Sequence, residues 1–265
     1  MHPRTVVSPE VTSTSGTRTN IFSRIMRSYL DPFISPTKQR MLVRKWAHHA
    51  DRRSFDWEWE KINYNRIAVV NLLLNGFNDP AYLEIGCGPD LVFNSIPAQN
   101  KKGVDPYLGG NIRKTSDDFF KENKSRFDVI FIDGMHTYEQ VRKDVINSIN
   151  SLNHGGWIAL HDMLPRNWIE HHIPIISQGA WTGDVWKVAF ELAQTEGIEF
   201  KILKIDHGVG VIKALRKNVK LKDLTAELFD QEFSYYYDNL NRLPIVEWHE
   251  AQDWLHSGKS ELTTR

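Results

Sequence analysis

Between residues 61 and 215 the apolar positions switch repeatedly between a helical and a strand-like pattern. Ile62–Leu74 carries apolar residues at helical spacing and stops at Gly76, with Pro80 just beyond. Tyr82–Ile85 is a short apolar run that breaks at Gly86-Cys87-Gly88, which reads as a strand followed by a tight turn. Gly103–Val104 leads into Asp105 as a second strand, and a fainter third is expected near Ile112. The run FDVIFI at Phe127–Ile132 has the continuous apolar character of a strand buried on both faces. Tyr138, Val141, Val145, Ile149 and Leu152 then share one helical face, Gly155-Gly156 turns the chain, and Trp157–Leu160 forms the next strand. Asp184 is placed to cap a helix carrying Val185, Val188, Ala189 and Leu192, which closes at Gly197. Phe200–Ile205 and Val209–Ile212 flank Asp206-His207-Gly208 as a hairpin would.

Strands alternating with helices predict an α/β fold: a doubly wound, mostly parallel, Rossmann-like sheet with a terminal antiparallel hairpin and helical additions at both ends. The expected organisation is a disordered arm over 1–20, rich in Ser, Thr, Arg and Pro, and a helical N-terminal cap over 21–60. A cofactor-binding domain follows over 61–215, then a helical C-terminal extension over 216–265. Composition narrows the function. Lys+Arg and Asp+Glu are 33 each in 265 residues, which argues against a protein built around a nucleic-acid backbone. No apolar run approaches the ~20 residues of a membrane span. The single cysteine, Cys87, rules out an intrachain disulfide and a cysteine zinc site; a reducing, cytoplasmic setting is expected.

In such a sheet the ligand sits beyond the carboxyl ends of the strands, so residues just after strands carry the chemistry. Gly86 and Gly88 follow strand one and let the backbone approach a ligand closely. A dinucleotide fingerprint would place a third glycine where Leu91 stands, and Pro89 removes an amide that a pyrophosphate would use. With Glu84 just before the turn, a cationic ligand with an amino-acid tail fits better. Asp105, at the end of strand two, stands where a carboxylate accepts from a ribose diol. Ser116-Asp117 are placed to contact an adenine edge, to start a helix, or both. Asp133 and His136 follow FDVIFI, and His161-Asp162 follow the next strand. Two acids and two imidazoles at neighbouring strand ends suit a divalent cation held by Asp133 and Asp162, or a general base drawn from His136, His161 or Asp133.

As a linked set, YLEIGCGPD, GVDP, FDVIFIDGMHTYEQVRKDV and LNHGGWIALHD resemble the class I S-adenosylmethionine-dependent methyltransferases, in particular the subgroup labelled methyltransferase domain 24. The resemblance spans about residues 62–213. It implies a cofactor loop of Glu84, Gly86 and Gly88, with Asp105 on the ribose, Ser116 and Asp117 near the adenine, and Asp133 at the same pocket. The subgroup is also similar to the macrocin-type sugar O-methyltransferases, which hold magnesium with acids at the ends of strands four and five. Asp133 and Asp162 match that pattern, whereas His161 stands where those enzymes commonly carry a further acid. The implied activity is O-methylation of a small-molecule or sugar hydroxyl. An NAD-dependent oxidoreductase and a non-catalytic module of the same fold are the alternatives. Residues 163–183, with Trp168 and Trp181, are expected to be either a loop able to cover the acceptor or a short extra helix around Trp168–Ile176 packed on the core.

Overall fold

The computed structural model describes residues 35–48, 50–176 and 179–260. The expected arm over 1–20 and the first part of the cap, 21–34, lie outside the described residues. In chain order the elements are α1 (Pro36–Trp46), α2 (Arg66–Leu74), β1 (Ala81–Ile85), α3 (Leu91–Ser95), β2 (Asn100–Val104), α4 (Ser116–Glu122), β3 (Phe127–Ile132), α5 (Tyr138–Ser151) and β4 (Leu152–Leu160). Then come α6 (Trp168–His171), α7 (Trp186–Ala193), β5 (Ile198–Leu203), β6 (Val209–Ala214), α8 (Thr225–Leu228), α9 (Phe233–Asn239), β7 (Ile245–Val246) and α10 (Trp248–Ser260).

The seven strands form one sheet in the order β2-β1-β3-β4-β6-β5-β7. β1 pairs in parallel with β2 and β3, and β3 with β4, while β6 runs antiparallel to both β4 and β5. This is the predicted doubly wound sheet with its terminal hairpin. Strand alternation sends Leu83, Ile85, Ile130, Ile132, Ile158 and Leu160 into one core, with Val141 and Val145 of α5 and Val188 and Leu192 of α7. It sends Tyr82, Val129, Phe131, Trp157 and Ala159 into the other, with Val69, Val70 and Leu73 of α2 and Ala251 and Leu255 of α10. Cover on both faces explains why FDVIFI carries almost no polar residue.

Three local expectations change. Near Ile112 there is a single bridge to Val104 and no strand. The chain turns back immediately after β2, and the Asn111 and Ile112 amides both donate to the Gly103 carbonyl, so there is no length for a ladder. Asp184 does not cap its own helix: Val185 precedes α7 without a side-chain cap. Its Oδ1 accepts instead from the Tyr138 amide at 2.6 Å, at the start of α5, where Thr137 offers no side-chain bond. The C-terminal extension is not purely helical, because β7 pairs with Ile202 and Leu203 of β5. Of the two readings of 163–183, the short packed helix holds at α6, and Met163, Leu164, Ile176 and Thr182 lie in the interior.

Candidate active site

The strand order reverses direction between β1 and β3, and that is where a doubly wound sheet opens a crevice. A cleft of about 230 Å³ lies there, lined by Gly86 after β1, Asp105 after β2, Ser116 and Asp117 at the start of α4, Gly134 and Met135 after β3, and Gln140 and Asp144 on α5. Gly86 has φ +83°, and a Cβ on it would stand 2.2 Å from the Asp133 carbonyl oxygen. Only glycine lets the ends of β1 and β3 approach this closely. Gly88 also has positive φ, at +49°, but nothing lies within 4 Å of its would-be Cβ.

Asp105 lines the cleft, yet its carboxylate is already engaged. Oδ2 accepts from the Cys87 and Gly88 amides, both at 3.1 Å, and Oδ1 from the Tyr107 and Leu108 amides at 2.8 and 2.9 Å. The side chain therefore clasps the glycine turn to the loop after β2. Glu84 is behind the turn, buried, and accepts a 2.6 Å hydrogen bond from the Tyr82 hydroxyl. Burial pushes its carboxyl up to about 7, opposed by the Tyr82 bond and assisted by Asp133 and Asp90. Ser116 and Asp117 are brought together with two residues the sequence reading missed. The Gln140 Nε2 donates toward Ser116 Oγ (3.1 Å), Asp117 Oδ1 (2.9 Å) and Asp144 Oδ1 (3.2 Å). The available signal was a carboxylate at Asp144, three residues after Val141 and one before Val145, on the apolar side of α5.

Beside the cleft, the acids and imidazoles after β3 and β4 converge. Asp133, His136 and Asp162 each offer one ligand atom, and these atoms lie within 4.8 Å of one another. His136 Nε2 is 3.3 Å from Asp133 Oδ1, and its Nδ1 is 3.2 Å from Asp162 Oδ2 and 2.9 Å from the Trp181 carbonyl. The indole of Trp181 stacks on the His136 ring at 5.2 Å. His161 Nδ1 is 3.3 Å from both Asp133 Oδ1 and Asp162 Oδ2, and its Nε2 is 2.8 Å from the Asp206 carbonyl. A carbonyl can only accept, so Nε2 carries a proton, and the flanking carboxylates draw one onto Nδ1. Burial disfavours charge on His161, but Asp162 and Asp133 outweigh it and hold its pKa well above the usual value. The same balance raises His136 and lowers Asp133.

Arg66, Asp206 and His207 complete the cluster; the sequence marked Asp206 and His207 only as a hairpin turn and assigned none of the three a site role. Arg66 Nη1 contacts Asp206 Oδ2 at 2.9 Å, and its Nε is 3.6 Å from Asp133 Oδ2. Burial works against ionising Asp206, yet His161 and Arg66 keep its carboxyl below the usual range. The hairpin between β5 and β6 brings Asp206 and His207 to the site, with φ of 44° and 59° before Gly208 at 87°. Burial lowers the His207 pKa, and its Nδ1 is buried without a hydrogen-bond partner.

A sheet in this order, a glycine turn packed against the end of β3 and a cleft across the carboxyl ends make a Rossmann-like α/β fold with a ligand cleft at its switch point. Residues 92–163 match the model of a family described as a methyltransferase domain, the stretch that runs from α3 through Asp162. Similar solved structures include cofactor-bound Rv0187 from MTB, at 14% identity over 72% of this chain and 97% of that one, TM-score 0.42. Another is the SAH-bound methyltransferase PaMTH1 of Podospora anserina, at 13% identity over 78% and 99%, TM-score 0.42. A third is the O-methyltransferase of Bacillus cereus in complex with SAH, at 11% identity over 77% and 93%, TM-score 0.38. No curated protein matches the chain. Among the described residues no helix is long and apolar enough to cross a membrane.

Proposed function

We propose that this protein is an S-adenosylmethionine-dependent methyltransferase that methylates a hydroxyl of a small molecule or sugar. The observation that carries the reading is the convergence of Asp133, His136 and Asp162 directly beside the cleft, one residue from its Gly134–Met135 wall. Methyl transfer is an in-line displacement: the acceptor oxygen forms the new bond to carbon while the sulfonium carbon–sulfur bond breaks. The enzyme's contribution is alignment and removal of the hydroxyl proton. Gly86 and Gly88 shape the turn for the cofactor, with Glu84 supporting it from behind. Asp105 holds that turn and shares its carboxylate with the ribose, while Ser116 and Asp117 flank the adenine. His136 is the candidate base: Nδ1 donates to the Trp181 carbonyl, and Nε2, 3.3 Å from Asp133 Oδ1, is the nitrogen that would take the proton. His161, donating from both nitrogens, orients Asp133 and Asp162 instead.

The three-residue set also fits a divalent cation of the Mg²⁺ type, with hard oxygens from Asp133 and Asp162 and one nitrogen from His136. Such a cation would supply Lewis-acid polarisation of the acceptor hydroxyl. Arg66 and His161 offset the remaining negative charge of Asp133, Asp162 and Asp206. The partner is a small-molecule or sugar acceptor, and a cytoplasmic location is part of the same proposal.

The test has two stages. Calorimetry should give a Kd in the micromolar range for S-adenosylhomocysteine, on the order of −8 kcal/mol. NAD should not bind; saturable NAD binding without S-adenosylhomocysteine binding would return the protein to the oxidoreductases. A panel of polyhydroxylated acceptors is then assayed with labelled S-adenosylmethionine, with and without EDTA. Activity lost in EDTA and restored by Mg²⁺ assigns His136 as a ligand. Activity indifferent to EDTA but abolished in His136→Ala assigns it as the base.

A further inference from the structure

We propose that the amino-terminal edge of the sheet, opposite the cleft, carries a second site, for a phosphate-bearing small molecule. This site is independent of what the cleft binds.

A pocket of about 420 Å³ opens there between the starts of β3 and β4, the end of α5 and the turn after β6. The sheet itself makes the opening. Between the same two paired positions β3 advances from Phe127 to Val129 and β4 from Leu152 to Trp157, so the extra residues of β4 form a bulge around His154. Across the pocket, β6 ends at Ala214 and the chain turns through Arg216, Lys217 and Asn218, the last with φ 57°. Gly197 makes room for Arg216, because a Cβ there would stand 2.2 Å from its Nε. The lining carries one sign of charge. Arg126, Arg216 and Lys217 line it with His154, and no carboxylate among the described residues does, although acids and bases balance at 33 each over the chain. Two acids adjoin the lining residues. Asp128 is engaged by the Ala81 amide and Asn153 Nδ2, and Glu196, with its side chain 91% exposed, is 3.9 Å from Arg216 Nη2. Arg126 gives one N–H to the Leu152 carbonyl at 2.9 Å, which covers the negative end of α5 and leaves the rest of its guanidinium for a ligand. Lys217 has no ion pair among the described residues. Like charges gathered in a concavity repel one another unless an anion joins them, and such a wall focuses its field on that anion. The donors converge from Arg126, from the Asn150–His154 stretch and from the turn at Arg216–Asn218. A tetrahedral phosphate offers oxygens in several directions, and an arginine fork can pair with two of them, whereas a planar carboxylate presents one edge. Ile149, Leu152 and Ala214 supply an apolar floor for the carbon part of the ligand.

The probe is inorganic pyrophosphate, titrated by calorimetry into the full chain in EDTA at neutral pH and low ionic strength, where exposed charges are least screened. The wild-type protein should bind it with a Kd below about 1 mM. Lys217→Gln should weaken binding at least about fivefold, and Arg126→Gln combined with Arg216→Gln at least about tenfold. Lys61→Gln removes the same charge from an exposed position outside the pocket and should leave the Kd unchanged. Equal losses in Lys61→Gln and Lys217→Gln would mean attraction to net charge alone, and that result overturns the site. Circular dichroism checks folding; if the double variant does not fold, Lys217→Gln decides, because it removes no ion pair. Citrate should bind more weakly than pyrophosphate, and tighter citrate binding overturns the phosphate assignment. Pyrophosphate should bind equally well in the presence of excess S-adenosylhomocysteine; competition would place the anion in the cleft and overturn the second site. Absence of pyrophosphate binding to folded wild-type protein up to about 10 mM also overturns it.

Discussion

Gly86 and Gly88 look equivalent as letters, and replacing each by alanine separates what they do. At Gly86 the new Cβ would sit 2.2 Å from the Asp133 carbonyl oxygen and 2.5 Å from the Gly134 Cα. Both neighbours are backbone at the end of β3, so no side chain can swing away. The cost has two parts. Left-handed backbone for a residue with a Cβ costs about 1–2 kcal/mol. Forcing apart packed backbone adds about 1–3 kcal/mol, as in overpacked cores. The sum, about 2–5 kcal/mol, is a large fraction of the roughly 5–15 kcal/mol that holds a domain folded. Gly88→Ala meets nothing within 4 Å and should cost only the backbone part, about 1–2 kcal/mol. Urea unfolding followed by circular dichroism reads both. Calorimetry with S-adenosylhomocysteine should show affinity reduced at least about tenfold in folded Gly86→Ala, because the displaced Asp133–Gly134 segment is the cleft wall. Equal destabilisation by the two substitutions, or wild-type binding by Gly86→Ala, would refute the close-approach argument.

Three further outcomes follow from the same geometry. Asp105→Ala orphans the amides of Cys87, Gly88, Tyr107 and Leu108, so it should lower stability by about 2–4 kcal/mol as well as weaken cofactor binding. Weakened binding at unchanged melting temperature would mean that the carboxylate serves the ligand alone. Glu84, raised from 4.5 to about 7, binds its proton more tightly folded than unfolded. Its contribution to stability is therefore full below pH 4.5 and declines as pH rises through about 7. Urea midpoints at pH 5 and pH 8 should differ by about 3 kcal/mol more in wild type than in Glu84→Gln, and parallel pH profiles would count against the buried acid. Asp184→Ala removes both the bond to the Tyr138 amide and the 3.0 Å partner of buried Lys187, and should cost about 3–5 kcal/mol. Adding Lys187→Met should recover most of that loss; no recovery would locate the damage at the helix start instead.

What the sequence determined by itself is local and periodic. Helical and alternating apolar spacing marks α2, β1, β3, α5 and the hairpin β5–β6, because each must present an apolar face whatever it packs against. A glycine turn after β1 and acids after β2, β3 and β4 were legible for the same reason, since strand ends put them on one edge of the sheet. The tertiary structure decided the partners. Asp184 reads as the cap of the helix that follows it, but the vacancy it fills is 46 residues back, at Tyr138. His136 and His161 are both strand-end imidazoles, yet only the fold sets the Asp206 carbonyl 2.8 Å from His161 and withdraws its lone pair. Arg66 precedes the sheet and Asp206 lies 140 residues later, and no spacing rule joins them. Asp144 carries the same lesson for burial. In the sequence it is one acid on a helix, and only packing removes its water and leaves one oxygen without a partner.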